Sequence, residues 1–317
     1  MGNAIIMNTI LIVDHTDYKN ILKDYFSSYY TVLFADCAFD AISILNMHDI
    51  DLVISQVALP GDNAFDLYNY LQNHYTYIPA IMITESNIDI FFDEIFRQGI
   101  GNVLKIPVNK NEFVQLADKI ISRNNIFGLS NYIHDIIETN SIRINASKQI
   151  QSGVDTILAT IESWGFTIKN KVVLSLILNE MIINAVYHSH GYTHEKEMRV
   201  PIELKEGQYV DISFCHNAST YGIAVTDYQG TLSKEKILES IHKAIEQEQL
   251  ILHAAKTGED ITDKISETGR GIDLVRKLAS EFYFVIQKNK RTEIILLFES
   301  SSSIQTSSSL KIIEDMR

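Results

Sequence analysis

The sequence predicts an α/β protein with a doubly wound, parallel five-stranded domain over residues 8–123, followed by an α+β two-layer domain over residues 141–299. In the first part, short β-rich apolar runs alternate with helical patterns, whereas in the second part helices precede mostly consecutive strands. The length of 317 residues accommodates two domains of ordinary size. Residues 124–140 are predicted as a linker and residues 300–317 as a flexible, serine-rich tail, with a short helix as one alternative for its last eight residues.

Composition limits the compartment and the partners. The formal net charge of −13 argues against nucleic acid as the main partner, since binding to phosphates requires a basic surface. No apolar run approaches the roughly 18 residues of a membrane span, and no basic segment precedes the first apolar residues as it does in a signal peptide. The two cysteines, Cys37 and Cys215, lie far apart in the sequence, so no disulfide framework or zinc knuckle is indicated. We therefore expect a cytoplasmic protein without a membrane partner.

Five βα repeats make up the predicted first domain. Short connections between repeats imply a parallel sheet, in which functional sites lie at the carboxyl ends of the strands. Prolines 60, 79 and 107 fall in loops or at a strand start, where a missing N–H group does no harm. The predicted strands are 10–13, 31–34, 52–55, 80–84 and 103–104, and the predicted helices are 18–26, 38–47, 64–73, 88–97 and 110–122.

The segments ILIVDHTD and DLVISQVALPG, with a lysine and a proline after the fifth strand, resemble a response-regulator receiver domain. That resemblance implies an aspartate nucleophile at the end of the third strand, with neighbouring acids that hold magnesium. Here the nucleophile position is Gln56, and of the acid pair Asp14 remains while His15 replaces its partner. Thr84 and Lys105 match the hydroxyl and the lysine of the family.

An amide cannot be phosphorylated, so these substitutions predict a receiver pocket that works without aspartyl phosphate. Signalling would then pass through a partner, a ligand or a dimer face, and an inert scaffold is the alternative. A shifted register with Asp62 as the acceptor is a further alternative, although Asp62 follows a Pro-Gly pair in the loop.

The segment LSLILNEMIINAVYHS organises the second domain. Its apolar residues recur at steps of three and four, which predicts an amphipathic helix. Glu180, Asn184 and His188 follow one another at steps of four and should therefore share one helix face. Apolar residues on both sides suggest that this column borders a pocket. There, a carboxylate could orient a hydroxyl group and an amide oxygen could bind magnesium.

This helix resembles the E-x-x-x-N-A box of the GHKL ATPase superfamily, which includes histidine kinases and anti-sigma-factor serine kinases. The segments VTDYQG, TGRGIDLV and KRTE follow in the order of the other family boxes, with several glycines displaced or replaced. The resemblance implies a site for ATP and Mg²⁺. In it, Glu180 would be the general base, Asn184 the magnesium ligand, and Asp227 and Thr292 the adenine contacts. His188 occupies the place of a histidine in the anti-sigma branch. The loop residues implied are Gly230, Gly269, Arg270 and Gly271.

The predicted second domain has strands at 141–146, 200–204, 209–216, 221–226, 282–287 and 293–298, and helices at 149–164, 171–188, 272–280 and from 233 onward. Only about seventeen residues separate the two domains, too few for the phosphoacceptor hairpin of a sensor kinase, so His134 is interpreted as part of a linker or a short packing helix. The cluster of His188, His190, His194 and Glu195 lacks the spacing of a zinc helix.

These features predict a bacterial signalling protein that transfers the γ-phosphoryl group of ATP to a serine of a protein partner similar to an anti-sigma antagonist. Two alternatives remain open. The second domain could bind a partner without catalysis in a dimer-based switch, or it could hydrolyse ATP without a protein acceptor. A homodimer is an open alternative for the assembly.

Overall fold

The computed structural model describes residues 7–61, 64–258, 260, 272, 274–276, 279–300 and 309–315. The chain divides into two compact units. The first comprises Met1–Asn124 and Ser308–Lys311, and the second comprises Asn125–Ser307 and Ile312–Arg317. The segment predicted as a linker, 124–140, is therefore almost entirely part of the second unit rather than a free connector.

The first unit is built on five parallel strands, which confirms the predicted parallel α/β class. The strands lie in the order β2-β1-β3-β4-β5, so that β1 lies between β2 and β3. The core of the sheet is fully buried, as shown by Ile10, Leu11 and Ile12, each 0% exposed. The strands are β1 (Thr9–Val13), β2 (Thr31–Ala35), β3 (Leu52–Gln56), β4 (Ala80–Thr84) and β5 (Asn102–Lys105).

Amphipathic helices connect these strands. In α1 the apolar residues Leu22 and Phe26 are both buried, and the Phe26 ring packs edge-on against Phe113 of α5 at 5.2 Å between centroids. Asn109 caps α5 by accepting a hydrogen bond from the N–H group of Asn111. The helices are α1 (Tyr18–Phe26), α2 (Ala38–Leu45), α3 (Ala64–His74), α4 (Phe92–Gln98) and α5 (Lys110–Ser122), with a 3-10 turn at Ile88–Phe91 before α4.

The first unit also includes Ser308–Lys311, a segment far in sequence from the rest of the unit. Leu310 and Lys311 pair in antiparallel register with Val103 and Asn102 of β5. Lys311 is fully buried and forms an ion pair with Glu112 of α5. Segment 310–315 forms strand β11 (Leu310–Asp315), so the short helix considered for the last residues is wrong. Four successive buried residues, 310–313, do not suit a helix with one exposed face.

The second unit contains a mainly antiparallel sheet in the order β11-β9-β10-β8-β7-β6. Residues 312–315 pair in parallel with β9, and every residue of β8 after Thr220 is buried. The two faces of β8 are therefore both covered. The strands are β6 (Glu138–Ile144), β7 (Val210–His216), β8 (Thr220–Asp227), β9 (Glu281–Gln287) and β10 (Arg291–Glu299).

One face of this sheet is covered by helices. Buried apolar positions of α6 and α7 include Ile157, Ile161, Ile177 and Ile182, and α6 packs on both α7 and β6. The second unit combines helices with a mainly antiparallel sheet, whereas its predicted identity as a two-layer GHKL ATP-binding domain stays a prediction. The helices are α6 (Ile150–Ser163), α7 (Lys171–Ile183), α8 (Thr193–Glu197) and α9 (Lys234–Thr257). In the predicted helix 272–280, residues 272 and 274–276 are helical, 279 and 280 are not, and 273, 277 and 278 lie outside the described residues.

The segment predicted as a linker packs within the second unit, where Leu129 and Ile133 lie over Gly222 of β8, and β6 begins at Glu138. Predicted strand 200–204 is wrong, since that segment forms only a single bridge between Ala146 and Glu203. The apolar alternation that predicted a strand reflects the single buried residue Ile202.

Candidate functional site

The parallel sheet of the first unit brings four of the predicted receiver-pocket residues to one edge. Asp14 follows β1, while Gln56, Thr84 and Lys105 end β3, β4 and β5. The register pairs Gln56 with Ile83 and Thr84 with Lys105, so these ends are level across the sheet. His15 is exposed beside them, and Asp62 lies outside the described residues.

Two buried acceptors at this edge have no hydrogen-bond partner among the described residues. Asp14 Oδ1 accepts from the N–H group of Thr16 at 2.7 Å, whereas its fully buried Oδ2 is unpartnered. Gln56, 6% exposed, likewise has an unpartnered Oε1. Thr84 Oγ1 accepts from the N–H group of Ser86 at 3.1 Å. At the end of β3, this edge of the sheet therefore presents an amide rather than a carboxylate.

In the second unit, the predicted single helix 171–188 consists of two segments. The α-helix ends at Ile183, and a π-helix spans Asn184–His188, with the N–H group of Ser189 bonded to the carbonyl of Asn184 at 3.1 Å. Such π segments widen the turn and often occur at functional sites. The predicted column is therefore regular from Glu180 to Asn184 and widened from Asn184 to His188.

Lys196 of α8 joins this column, a contact that sequence reasoning missed. Its Nζ donates to Asn184 Oδ1 at 3.0 Å and lies 3.1 Å from His188 Nε2. The other ring nitrogen, His188 Nδ1, is 3.0 Å from Thr193 Oγ1. The turn at Gly191, with φ of 82°, returns the chain so that α8 lies beside the π-helix.

The charges of this cluster influence one another. Burial lowers the pKa of Lys196, and the nearby Glu180 carboxylate opposes that shift. Loss of hydration lowers the pKa of His188, and the ammonium of Lys196 lowers it further. A neutral His188 can then accept a hydrogen bond from Lys196 through Nε2 while Nδ1 donates to Thr193.

A second group of polar residues is buried where β8 meets β10. Asp227 and Thr292 face each other in register, and they are 5% and 2% exposed. Asp227 Oδ1 accepts from the N–H groups of Gln229 and Gly230, each at 3.0 Å, and the carboxylate is also hydrogen-bonded by Ser189. Thr292 Oγ1 has no partner among the described residues. A buried hydroxyl without a hydrogen-bond partner destabilises the folded protein, so its presence here needs an explanation, such as a bound ligand.

The ionisation of Asp227 is unfavourable in the folded protein. Burial raises its pKa, and the bonds from Gln229 and Gly230 partly offset that effect. The electrostatic interaction with His190 also lowers the pKa of Asp227. Its Nδ1 lies 3.0 Å from the carbonyl of Ala185, while its buried Nε2 has no partner among the described residues. This region therefore contains two buried acceptors, the Asp227 carboxylate and His190 Nε2, and one buried hydroxyl, that of Thr292.

Gly230 has a packing role that the sequence did not reveal. A Cβ atom at this residue would lie 2.5 Å from both the Gln287 carbonyl oxygen and the Lys290 nitrogen. The N–H group of Asn289 also donates to the Gly230 carbonyl at 2.9 Å. Close approach to the β9–β10 turn therefore accounts for this glycine without a nucleotide.

The implied cofactors fit to different degrees. The hydrogen-bonding groups of the Asp227–Thr292 pair are compatible with adenine, because a carboxylate can accept from its amino group and a hydroxyl can donate to a ring nitrogen. Magnesium does not fit, because Asn184 Oδ1 already accepts from an ammonium group. Within the described ranges no group of three or more His, Cys, Asp or Glu residues could hold a metal ion. The phosphate-loop residues Gly269, Arg270 and Gly271 lie outside the described residues.

Residues 10–118 match the family model of the response regulator receiver domain. The probable transcriptional regulator ycf29 of Cyanophora paradoxa is 26% identical over 166 residues, which cover 48% of this chain and 77% of that protein. The Regulator of RpoS of Escherichia coli strain K12 is 34% identical over 113 residues, which cover 34% of this chain and 33% of that protein. The match thus spans about a third of that regulator.

Solved structures also match part of this chain. The signal receiver domain of an HD domain-containing protein from Pseudomonas fluorescens Pf-5 is 26% identical, with a TM-score of 0.35, over 37% of this chain and 95% of that chain. The chemotaxis response regulator CheY4 of Vibrio cholerae is 21% identical, with a TM-score of 0.32, over 35% of this chain and 98% of that chain.

The N-terminal part of the chain is a response regulator receiver domain, a module of signal transduction. This confirms the predicted receiver resemblance for the first unit. Among the helices that the structure describes, none combines the length and apolar character needed to cross a membrane.

Proposed function

We propose that this chain is a bacterial signalling protein in which a receiver domain without a phosphoacceptor aspartate regulates an ATP-binding second unit. The second unit would act as a protein serine kinase of the anti-sigma-factor type. One relative of the receiver domain is named as a regulator of RpoS, and a regulatory protein as the partner of this chain is in keeping with that name.

The observation that carries the nucleotide proposal is the buried pair of Asp227 and Thr292. Asp227 supplies an acceptor for the amino group of adenine, and Thr292 has a hydroxyl that no described residue engages. A few convergent polar groups in an apolar wall are typical of a small-molecule site. In the free protein, the same hydroxyl is a destabilising feature that a ligand would satisfy.

Two isosteric variants test this assignment. Thr292→Val removes the unpartnered hydroxyl, whereas Thr226→Val removes a neighbouring hydroxyl that donates to Glu293 at 3.0 Å. Loss of one ligand hydrogen bond, about 0.5–1.5 kcal/mol, should weaken ATP binding about 2- to 12-fold in Thr292→Val. Calorimetric titration should show little change in Thr226→Val. Equal affinities in both variants, or no ATP binding by the native chain, would refute the proposal.

The kinase step rests on Glu180, which is half-buried on the last turn of α7. In that step the serine oxygen attacks the γ-phosphorus as the bond to ADP breaks, and the serine proton passes to the Glu180 carboxylate. Glu180→Gln should abolish phosphoserine formation on a co-purified partner while ATP binding persists. Undiminished phosphoserine in that variant would remove Glu180 from the step.

A second candidate function is a non-catalytic module that binds its partner. The contact of Lys196 with Asn184 favours it, because the amide oxygen is already occupied by a cationic group. Under this alternative, partner binding persists in Glu180→Gln and phosphoserine never forms with the native chain.

A further inference from the structure

The cluster around Lys196 has the charge that a nucleotide site needs without a metal ion. The ammonium lies 3.0 Å from Asn184 Oδ1 and 3.1 Å from His188 Nε2, and it interacts with the Glu180 carboxylate. The Nζ of Lys236 donates to the Thr231 carbonyl at 2.9 Å, and the charge of Lys236 also lowers the pKa of His188. Two lysines therefore surround the position at which the family resemblance implies magnesium.

Lysine can take over the electrostatic part of that role. An ammonium group has three N–H donors, and Asn184 with His188 accounts for two of them. The third remains for an oxygen of an anionic ligand, and lysine is a common point-charge partner of phosphates. Two carboxylates interact electrostatically with this cluster. Glu180 interacts with Lys196, and Glu197 interacts with His188.

A divalent cation is disfavoured at the same place. Magnesium requires oxygen ligands at about 2.0–2.1 Å in octahedral geometry, and it would have to displace Lys196 from Asn184 Oδ1. An ammonium and Mg²⁺ on one amide oxygen would repel each other strongly in a half-buried setting.

We propose that Lys196 replaces magnesium in this site, so that the second unit binds a nucleoside triphosphate without a divalent cation. This inference rests on the proposed ATP site. It also changes the expected chemistry, because a site that holds ATP through lysine alone supports nucleotide-dependent partner binding better than phosphoryl transfer.

The test is calorimetric titration of ATP into the full chain, once with excess Mg²⁺ and once with EDTA. Native protein should bind ATP in EDTA within about threefold of its affinity in Mg²⁺, since lysine supplies the point charge. Lys196→Ala should lose at least about tenfold in EDTA, and Lys196→Arg should retain metal-independent binding. The control Lys205→Ala removes an exposed lysine of the same unit and should behave as native.

The outcomes separate the two proposals. Binding by native protein in Mg²⁺ but not in EDTA would overturn the inference and leave the ATP site intact. Equal binding in EDTA by native protein and Lys196→Ala would also overturn it. Absence of ATP binding under both conditions would overturn the ATP site itself. Fluorescence of Trp164, the single tryptophan, shows whether each variant is folded.

Discussion

Gly230→Ala should lower the free energy of unfolding of the second unit, and not only its affinity for a nucleotide. The new Cβ would lie 2.5 Å from two backbone atoms of the β9–β10 turn, so about 0.9 Å of separation is needed to reach ordinary contact at 3.4 Å. That movement would weaken two backbone hydrogen bonds, Asn289 N–H to Gly230 and Lys290 N–H to Gln287. Left-handed strain of about 1–2 kcal/mol, overpacking of about 1–3 and the weakened bonds together give about 3–5 kcal/mol.

Gly207→Ala is the matched control. Gly207 has φ of 81°, and a Cβ there would meet no atom within 4 Å. Only the conformational cost applies, so the loss should be about 1–2 kcal/mol. Urea unfolding followed by Trp164 fluorescence reports on this unit, because the Trp164 ring packs against His216 of β7 with 4.5 Å between ring centroids. Similar losses in the free energy of unfolding for both variants would refute the packing argument. A role for Gly230 in the nucleotide loop would then be favoured instead.

Three further predictions follow from buried groups. Acetyl phosphate should leave the chain unmodified, because Gln56 ends β3 where a carboxylate would be needed; a mass increase of one phosphoryl group retained in Gln56→Ala would require another acceptor. Cys37 should react with iodoacetamide at pH 8 before Cys215, because burial raises the pKa of Cys215 to about 11, and equal labelling measured by mass spectrometry would contradict this. Burial raises the folded-state pKa of Asp227. Its contribution to the free energy of unfolding is therefore present below pH of about 4 and lost as pH rises through the folded pKa. The stability of Asp227→Asn relative to native should therefore increase from pH 4 to pH 7 in urea unfolding, and a constant difference would contradict the burial argument.

The architecture of the first unit could be predicted because its signals are local. Buried runs with helical patterns between them predict βα repeats, and Ala80–Thr84 forms the strand that its sequence predicts. The third strand is predicted at 52–55, and the structure extends it by one residue to Gln56. In the second unit, Ser233 marks the start of α9 and accepts from the N–H group of Lys236.

Other features depend on contacts between residues distant in sequence. In the first unit, Leu310 and Lys311 pair with β5, which no local pattern of LKIIEDMR indicates. Lys196 reaches Asn184 across twelve residues and a glycine turn, and a lysine in a polar segment resembles any surface lysine. The π-helix at Asn184–His188 follows a regular α-helical pattern, so the sequence gives no sign of the change.

Binding of ATP within the second unit can be measured by urea unfolding followed by Trp164 fluorescence. ATP at one hundred times its dissociation constant should raise the free energy of unfolding by about 2.7 kcal/mol in the native chain. In Asp227→Asn, the same ATP concentration should give a clearly smaller increase. An unfolding curve that saturating ATP leaves unchanged in the native chain would contradict the account.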